Sequence, residues 1–470
     1  MIEYVLYLSP LLALLLGIFC ITFRDDTATN ISYSFKTART FLFISFFLEI
    51  VFYNKSLIAN VTQGSPFTLL FESLLYICAF IVLYLSKKWF TSMSVAGHWF
   101  CSCILMSVLC GCLLIESYNL LLTVLMCILL MLNNFTLIKL FQKKKDSSLN
   151  IRIYMIMMFL SWLLLGFSLI VFYTYSGDLS YSTLLPYINI NQQDLLIFSA
   201  VAALVCVFVF IFGLAPLHFW FAEALANTIL PVITYFLLVP IVACFGCFIQ
   251  LNLHMLAAYQ DELLFFYKIV ALLSIGIGAV GACSAQNIRK TFAYVSVYHL
   301  GLILLALFHF TPKTVDASFV YLFSYLLAMA GICTTLFGLK IKGEYLMTLP
   351  ELSGAAYKKP YIAAMMAVFI FSLSGLPPFL GFMGQFSVLS RLAAYRLYEL
   401  GFVLLMSIIL TFAYIQIIYT MFKDNKIPFD RADKGIYTAM LINAAVMLFI
   451  VVNPQYLVED FVLMIETVFK

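Results

Sequence analysis

Two short stretches, Gly213-Leu-Ala-Pro216 and Gly375-Leu-Pro-Pro378, interrupt two long apolar runs of the sequence. Pro removes a backbone donor and clashes with the preceding turn, so each stretch is predicted to break a helix. A break at membrane depth is tolerated only where the backbone is buried in protein or lines a wet cavity. Paired, Gly/Pro-interrupted helices in two halves of a chain therefore indicate a transporter pathway, whereas one such site alone would be read as a structural kink.

The composition places most of the chain in lipid. Of the 470 residues, 64% are hydrophobic and 10% carry charge, whereas soluble domains are about 45–50% apolar and about 25% charged. The polar stretches are only as long as loops, so no soluble domain is predicted. The net charge of +4 is small and dispersed, which argues against a nucleic-acid partner.

Apolar runs of about 20 residues predict an all-α polytopic membrane protein with about fourteen transmembrane helices. The predicted spans, numbered in chain order, are 4–23, 40–53, 66–86, 94–115, 118–138, 153–173, 195–221, 229–251, 263–284, 291–310, 319–339, 361–389, 400–421 and 436–452. The two interrupted runs are spans 7 and 12. They lie five spans apart, and an odd offset gives two copies opposite orientations, so an inverted repeat is predicted.

The distribution of Lys and Arg tests this count. Twenty of the 26 lie in loops that follow odd-numbered spans, and six lie on the other side. A wrong count would scramble this bias. The positive-inside rule therefore predicts that the odd loops face the cytoplasm-like side and that both termini face the opposite side.

Several motifs resemble the antiporter-like membrane subunits of the proton-pumping NADH:ubiquinone oxidoreductase (respiratory complex I), and its subunit 2 in particular. Residues 213–223, GLAPLHFWFAE, are similar to the family's Pro-Phe-His-x-Trp-x-Pro-Asp signature, and Pro231-Val232 follows as it does in the family. Residues 287–301, NIRKTFAYVSVYHLG, and residues 372–386, SLSGLPPFLGFMGQF, are similar to two further motifs of the family.

This resemblance, which runs from Ser94 to Met421, implies a fold and a role. It implies two inverted five-helix repeats, spans 4–8 and 9–13, with spans 7 and 12 broken. The predicted segments are an N-terminal three-helix segment at 1–93, a first repeat at 94–251, a second repeat at 252–422, and a C-terminal loop and last helix at 423–470. The implied role is to couple quinone reduction to proton translocation through buried water and charged side chains.

The chain itself is predicted to carry no electrons. Its twelve cysteines lie almost wholly in apolar runs, and no haem, flavin, iron–sulfur or metal motif is present. By resemblance, NADH, FMN, the iron–sulfur clusters and ubiquinone would bind elsewhere in the complex. No catalytic residue is assigned here, and the enzymatic role would be that of a subunit.

The resemblance also implies partners and a location. Expected partners are other membrane-arm subunits, including neighbouring antiporter-like subunits, and phospholipids such as cardiolipin. Close packing against partners is predicted at the small residues Gly276, Gly278 and Gly281. The implied location is the mitochondrial inner membrane, with both termini on the intermembrane-space side.

The sequence departs from the family at four relay positions. Family members carry Glu in span 5 and Lys in spans 7, 8 and 12, and the matching residues here are Ile128, Ile211, Ile241 and Gln385. These four spans contain no Asp, Glu, Lys or Arg, so a small shift in the alignment does not restore the relay. We therefore predict that the proton path of this subunit is impaired.

The remaining proton-path candidates are polar residues near the breaks and in span 10: His218, Glu223, Tyr294, Ser296, His299 and Gln385. A membrane His is costly unless it faces a polar interior, and it titrates near neutral pH. Each His could instead donate to a carbonyl that a helix break leaves free, and Tyr294 could be packing alone. Gln385 can hold a water but cannot titrate. Glu49 and Glu72, in the N-terminal spans, are assigned no part in transport.

Three functions stay open at this point. The chain could be a complex I subunit that moves protons by an altered route, or a complex I subunit that is purely structural. It could also belong to a multisubunit cation/proton antiporter. The loss of the four relay charges counts against the antiporter, because an exchanger needs ionisable groups to couple its ions.

Overall fold

The computed structural model describes residues 8–22, 27–52, 61–62, 64–93, 95–142, 148–307, 310–424 and 427–455. Within these ranges the chain is almost entirely helical. The helices are α1 (Ser9–Thr22), α2 (Ala28–Phe52), α3 (Pro66–Met93), α4 (Gly97–Ile115), α5 (Leu120–Leu140), α6 (Ser148–Ser176), α7 (Tyr181–Ile190), α8 (Leu195–Ile211), α9 (Phe219–Ala226), α10 (Leu230–His254), α11 (Gln260–Ser284), α12 (Ile288–Ala306), α13 (Pro312–Gly338), α14 (Ala355–Lys358), α15 (Pro360–Leu373), α16 (Leu380–Tyr395), α17 (Leu397–Phe422) and α18 (Lys434–Val452). Strands β1 (Lys340–Ile341) and β2 (Glu344–Tyr345) form a short antiparallel hairpin.

Each predicted span has a helical counterpart in this structure. Among the described residues, nine helices are long and apolar enough to cross a membrane by length and composition, and α1, α8 and α15 are shorter apolar helices. Span 7 forms α8 and α9, and span 12 forms α15 and α16, so both predicted breaks are present. The prediction of an all-α polytopic membrane fold with two broken helices is confirmed.

Several helix boundaries differ from the prediction. α3 continues to Met93 rather than residue 86, and α13 begins at Pro312 rather than residue 319. The predicted span 2 begins at residue 40, but α2 begins at Ala28. The apolar pattern misses the first half of this helix because Lys36 and Arg39 interrupt it. After the second break, α16 continues to Tyr395, past the predicted end at residue 389, and so includes Arg391.

The chain divides into two compact units. Residues up to 212 and residues 238–260 belong to the first unit, and residues 213–237 and 261–463 belong to the second. In the first unit, α1, α2, α3 and α4 pack against one another, α4 packs on α5, and α5 packs on α6. In the second unit, α13 is the central helix and is covered by α12, α15, α16 and α18. The predicted limits of the two repeats remain predictions.

Small residues let α11 and α12 approach closely. Gly278 lies against the backbone of Tyr294 and Tyr298, and Gly281 lies against the Tyr294 ring, so neither position has room for a Cβ. The prediction that these two glycines pack against partner subunits is therefore wrong, because the chain's own α12 occupies their surface. Apolar surface is instead exposed on α17 and α18, which bury only 28% and 17% of their most apolar stretches.

Candidate functional site

The first break separates α8 from α9. Gly213 has φ of +66°, a conformation that suits glycine, and the Ala215–Pro216 peptide is cis. The Phe221 side chain fills the space where a Cβ on Gly213 would lie. The amide of Ala215 donates to Ser274 Oγ at 2.9 Å, so a side chain of α11 satisfies a donor that the break leaves free.

The second break repeats this arrangement between α15 and α16. Gly375 has φ of +72°, and the Pro377–Pro378 peptide is cis, at the same offset from the glycine as in the first break. The amide of Gly381 donates to Ser372 Oγ at 3.1 Å. Both breaks thus use a serine hydroxyl to accept a freed backbone N–H, as irregular backbone inside a membrane protein requires.

Gln385, on α16, belongs to this second break. Its Nε2 donates to the carbonyl of Leu373 at 2.7 Å, at the last turn of α15. Its side chain also interacts with Tyr321, against which the backbone of Gly384 packs closely. Gln385, which the sequence analysis matches with a family Lys, therefore connects the break to α13 without carrying a charge.

His299 is the centre of a buried hydrogen-bond network. The residue is fully buried on α12, its Nδ1 lies 2.6 Å from the Tyr321 hydroxyl, and its Nε2 lies 2.9 Å from the Tyr414 hydroxyl. A neutral imidazole has one donor and one acceptor nitrogen, and a phenol can fill either role. Both ring nitrogens are therefore satisfied by the neutral form, and the predicted polar interior site is a closed network.

Ser296 lies one turn before His299 and joins the same polar interior. Its Oγ is 2.6 Å from the Tyr325 hydroxyl, and that hydroxyl donates to the carbonyl of Leu237 at 3.4 Å. Three tyrosines of α13 and α17 thus cover the polar face of α12. We name the set Ser296, His299, Tyr321, Tyr325, Tyr414 and Gln385 the tyrosine network.

The other candidates lie beside the first break. The His218 and Tyr294 rings are 6.3 Å apart between centroids, and His218 Nδ1 is buried with no hydrogen-bond partner among the described residues. Glu223 forms an ion pair with Lys290, and the two side chains are 41% and 29% exposed. The six sequence candidates therefore form three groups: the tyrosine network, the His218–Tyr294 contact and the Glu223–Lys290 pair.

The three isoleucines that the sequence analysis matches with relay positions lie on helices of apolar composition. Ile211 ends α8 and is 8% exposed, Ile241 lies in α10 and is 3% exposed, and Ile128 on α5 is only partly buried. The Lys and His side chains of these three helices lie at helix ends: Lys139 in the last turn of α5 and His254 at the end of α10. Within the described residues, α5, α8 and α10 carry no Asp, Glu or Arg, and their one Lys is Lys139 in the last turn of α5.

Sequence reasoning missed one buried charge, Arg289 at the start of α12. Its guanidinium donates to three backbone carbonyls: to Thr228 at 2.6 Å, to Leu346 at 3.1 Å and to Tyr345 at 3.4 Å. The residue is 1% exposed, so these bonds replace its hydration. The sequence did show two cations at a helix start, in the motif Asn287-Ile-Arg-Lys. It did not show that Arg289 is buried, because the carbonyls that it contacts are distant in the chain.

Comparison with known proteins agrees with this fold. A family described as "NADH:quinone oxidoreductase/Mrp antiporter, TM" matches residues 117–411. The chain is 27% identical over 299 residues to NADH-quinone oxidoreductase subunit N of Parvibaculum lavamentivorans, an alignment that spans 63% of this chain and 62% of that relative. It is 26% identical over 479 residues to subunit N of Francisella tularensis, across 96% of both chains.

Solved structures show the same fold at lower sequence identity. A chain of respiratory complex I from Thermus thermophilus superposes with a TM-score of 0.77 at 20% identity, over 97% of this chain and 98% of that one. A chain of the Mrp complex from Dietzia superposes with a TM-score of 0.81 at 15% identity, over 100% and 98%. The resemblance predicted from the motifs is confirmed. The chain belongs to the NADH:quinone oxidoreductase/Mrp antiporter transmembrane family.

Proposed function

We propose that this chain is a membrane-arm subunit of a respiratory NADH:quinone oxidoreductase, the counterpart of subunit N in bacteria and of subunit 2 in mitochondria. The observation that carries the proposal is the alignment with subunit N over 96% of both chains, because a shared motif alone would not extend through the N-terminal and C-terminal helices. The enzyme's NADH, FMN, iron–sulfur clusters and ubiquinone would bind to other subunits. The partners would be the other membrane-arm subunits, including its antiporter-like neighbours.

The proton path of this subunit is impaired in our proposal. A relay needs groups that bind and release protons near the bilayer centre, and a charge there costs about 2.5–3.5 kcal/mol by insertion scales. Ile211 and Ile241 supply no such group, and their buried, apolar surroundings disfavour a continuous water file. The tyrosine network supports the same conclusion, because its hydrogen bonds close around neutral groups.

The test is the ratio of protons translocated to electrons transferred by the purified complex in liposomes. We expect a lower ratio than for complexes whose corresponding subunit keeps the Glu and three Lys residues. The matched comparison is a related complex measured in the same liposomes with the same quinone. A full ratio, together with ordered water through α5, α8, α10, α12 and α16, would contradict the impaired path while leaving membership of the complex intact.

The second candidate is a subunit of a cation/proton antiporter complex. The Mrp-complex chain is the observation that favours it, since its TM-score of 0.81 is higher than the 0.77 of the complex I chain. Co-purification separates the two functions: redox subunits with NADH oxidation support the first, and sodium-dependent proton exchange without them supports the second.

For location, we propose the mitochondrial inner membrane, with both termini in the intermembrane space. The positive-inside bias supports this orientation. Lys143–Lys145 and Lys470 lie outside the described residues, but both can be labelled chemically in sealed mitochondria and mitoplasts. Labelling of both from the same side would contradict the proposed topology.

Anionic phospholipids such as cardiolipin are proposed ligands of the second unit. A cavity of about 970 Å³ is lined by Lys313, Arg391 and Arg396 together with Glu399 and the exposed Tyr398. Arg and Lys donors suit lipid phosphates. Glu399 already pairs with Arg396 and Lys268, and Arg391 interacts with Asp316, which leaves Lys313 and the remaining N–H donors of Arg391 for a headgroup. Arg391→Gln should reduce the cardiolipin that co-purifies with the complex, measured by lipid mass spectrometry against Lys434→Gln on α18.

A further inference from the structure

Three buried carboxyl groups meet in the first unit, and none of them was a proton-path candidate in the sequence. Glu49 lies near the end of α2, Glu72 near the start of α3, and Glu116 directly after α4. An oxygen from each lies within 4.8 Å of the others. The residues are 6%, 1% and 8% exposed, so water does not screen them. We name these residues the carboxyl cluster.

The carboxyl cluster has no cationic partner in the described part of the chain. No described Lys or Arg forms an ion pair with any of its members. The nearest cation on its own helices is Arg39, ten residues before Glu49 and therefore about 15 Å away along α2. Lys55 lies outside the described residues and is addressed by a variant below.

The layer of side chains one turn below the cluster uses all of its own donors. Ser45, Tyr76 and Cys112 each lie four residues from one of the three glutamates, on α2, α3 and α4. Ser45 donates to the carbonyl of Pro10 at 2.9 Å, the Tyr76 hydroxyl donates to Ser45 Oγ at 2.6 Å, and Cys112 donates to the Tyr76 hydroxyl at 3.6 Å. No hydroxyl or thiol proton of this layer remains for the carboxyl groups.

Glu72 shows the consequence directly. Both of its carboxyl oxygens are buried and lack a hydrogen-bond partner in the described structure. A buried carboxylate without a donor or cation is strongly disfavoured, and like charges that share a site favour retention of a proton by one of them. Tyr76, Cys112, Cys244 and Cys247 are phenol and thiol groups that carry no charge at neutral pH, and the His254 ring lies on Tyr118. The cations of α2 and α3, which are Lys36, Arg39, Lys87 and Lys88, lie ten or more residues along these helices from the nearest glutamate of the cluster.

We propose that Glu49, Glu72 and Glu116 form a single proton-binding site, in which at least one carboxyl group stays protonated at neutral pH. A proton on one carboxyl gives its neighbour the hydrogen bond that the protein does not supply. Glu49 and Glu72 belong to the predicted N-terminal segment and Glu116 to the predicted first repeat, and together they give the subunit a titratable group that its relay positions lack. The proposal rests on the geometry of the cluster and is independent of the proposed membership of complex I.

The test is modification of the assembled complex by dicyclohexylcarbodiimide, which adds to protonated carboxyl groups in apolar surroundings. Labelling of each glutamate is read by peptide mass spectrometry across a range of pH. In the wild type we expect labelling at neutral pH that is lost on alkalinisation. Glu72→Gln should move the midpoint of labelling at Glu49 and Glu116 to lower pH by about one unit or more, because one interacting charge is gone.

Two variants serve as controls. Asp316→Asn removes an acid that is comparably buried (9% exposed) in the second unit and should leave the labelling midpoints of the cluster unchanged. Lys55→Ala should also leave them unchanged, and a marked shift in that variant would overturn the proposal by showing that a lysine neutralises the cluster. If Glu72→Gln fails to assemble, Glu49→Gln and the wild-type titration answer the same question.

Two results would overturn the proposal. Protection from the reagent by sodium or calcium at constant ionic strength would show that the cluster binds a metal cation rather than a proton. An infrared spectrum of the wild-type complex that shows no protonated carboxyl band assignable by Glu72→Gln or Glu49→Gln would show that the carboxyl groups are ionised, whether or not the reagent reaches them.

Discussion

The tyrosine network and the carboxyl cluster are both buried polar groups inside an apolar chain, but they are balanced in opposite ways. In the network, His299 is flanked by two tyrosine hydroxyls, and each ring nitrogen has a partner. In the cluster, neither Glu72 oxygen accepts a hydrogen bond from a donor group among the described residues, and the groups beside it are other carboxyls. The hydrogen bonds of the tyrosine network are satisfied in its neutral form. The carboxyl cluster, as we propose it, needs a bound proton to form a hydrogen bond between its members.

The difference teaches where titration can occur in this subunit. The motifs that resemble the family lie around the network, yet the family's charges are absent there and the remaining polar atoms satisfy one another. The carboxyl groups lie on the N-terminal helices, outside the motifs. A similarity of motif therefore locates the fold that this chain shares with its relatives, whereas the balance of donors and acceptors locates the ionisable site that we propose.

The largest effect should come from placing a charge at a predicted relay position, where neither the network nor the cluster supplies a partner. Ile241→Lys restores the residue type of the family at a position that is 3% exposed. Because α10 carries no acid that could pair with the new lysine, we expect the free energy of folding in the membrane to become less favourable by about 2.5–3.5 kcal/mol. The subunit should then assemble poorly. The measurement is the fraction of the subunit that is found in the intact complex on native gels. Ile241→Leu is the control. An assembled Ile241→Lys complex with a higher proton-to-electron ratio would show that a dormant path survives.

The next effect should come from opening the tyrosine network. His299→Phe keeps the ring volume but leaves the Tyr321 and Tyr414 hydroxyls without their shared partner, and an unsatisfied buried polar group costs about 1–3 kcal/mol. We expect faster thermal inactivation of NADH oxidation with an unchanged proton-to-electron ratio at low temperature. A proton-to-electron ratio that is already lower in the variant at low temperature, where NADH oxidation is intact, would identify His299 as a proton carrier. Tyr298→Phe, on the same helix, is the control for ring substitution.

The sequence predicted the two helix breaks but not every helix boundary. Gly213, Pro216, Gly375 and Pro378 predicted both breaks, because their backbone chemistry is local. The start of α2 was missed because Lys36 interrupts its apolar run. A helix break follows from the backbone chemistry of neighbouring residues and can be predicted from the sequence. A helix boundary that depends on tertiary packing cannot.

The site was less predictable than the fold. Glu116 follows α4 by one residue and belongs to no apolar run, so nothing local connects it with Glu49 and Glu72. Arg289 was visible as a charge, but its carbonyl partners lie about 60 residues away in the chain. Gly278 and Gly281 were recognised as contact residues, but a glycine does not specify whether its neighbour is a partner subunit or the same chain.

A smaller effect, of opposite sign, is expected from the carboxyl cluster. Glu72→Gln removes one acid and supplies an amide donor to the two that remain, so it should stabilise the first unit by about 1 kcal/mol at alkaline pH. The sign follows from repulsion: as pH rises the wild type loses its shared protons and gains like charges at close range, whereas the variant gains fewer. The measurement is the temperature of dissociation of the complex at pH 6 and pH 9. Equal shifts at both pH values would contradict a shared-proton site.

The smallest effect should come from the Glu223–Lys290 pair, which tests whether charge alone is enough to make a functional group here. Both side chains lie near the first break, and in sequence Glu223 was a candidate for the proton path. The pair is 41% and 29% exposed, and an exposed pair of this kind contributes about 0.2–1 kcal/mol because solvent screens it and two long side chains must be held in place. Glu223→Gln should therefore leave assembly and the proton-to-electron ratio unchanged within error and change stability by less than His299→Phe. Lys290→Met removes the other member of the ion pair and is the matched control. The double variant should lose little more stability than either single variant. A large drop in the ratio for Glu223→Gln, with Lys290→Met unaffected, would assign the carboxylate to proton transfer and would make the region beside the first break, rather than the N-terminal helices, the ionisable centre of the subunit.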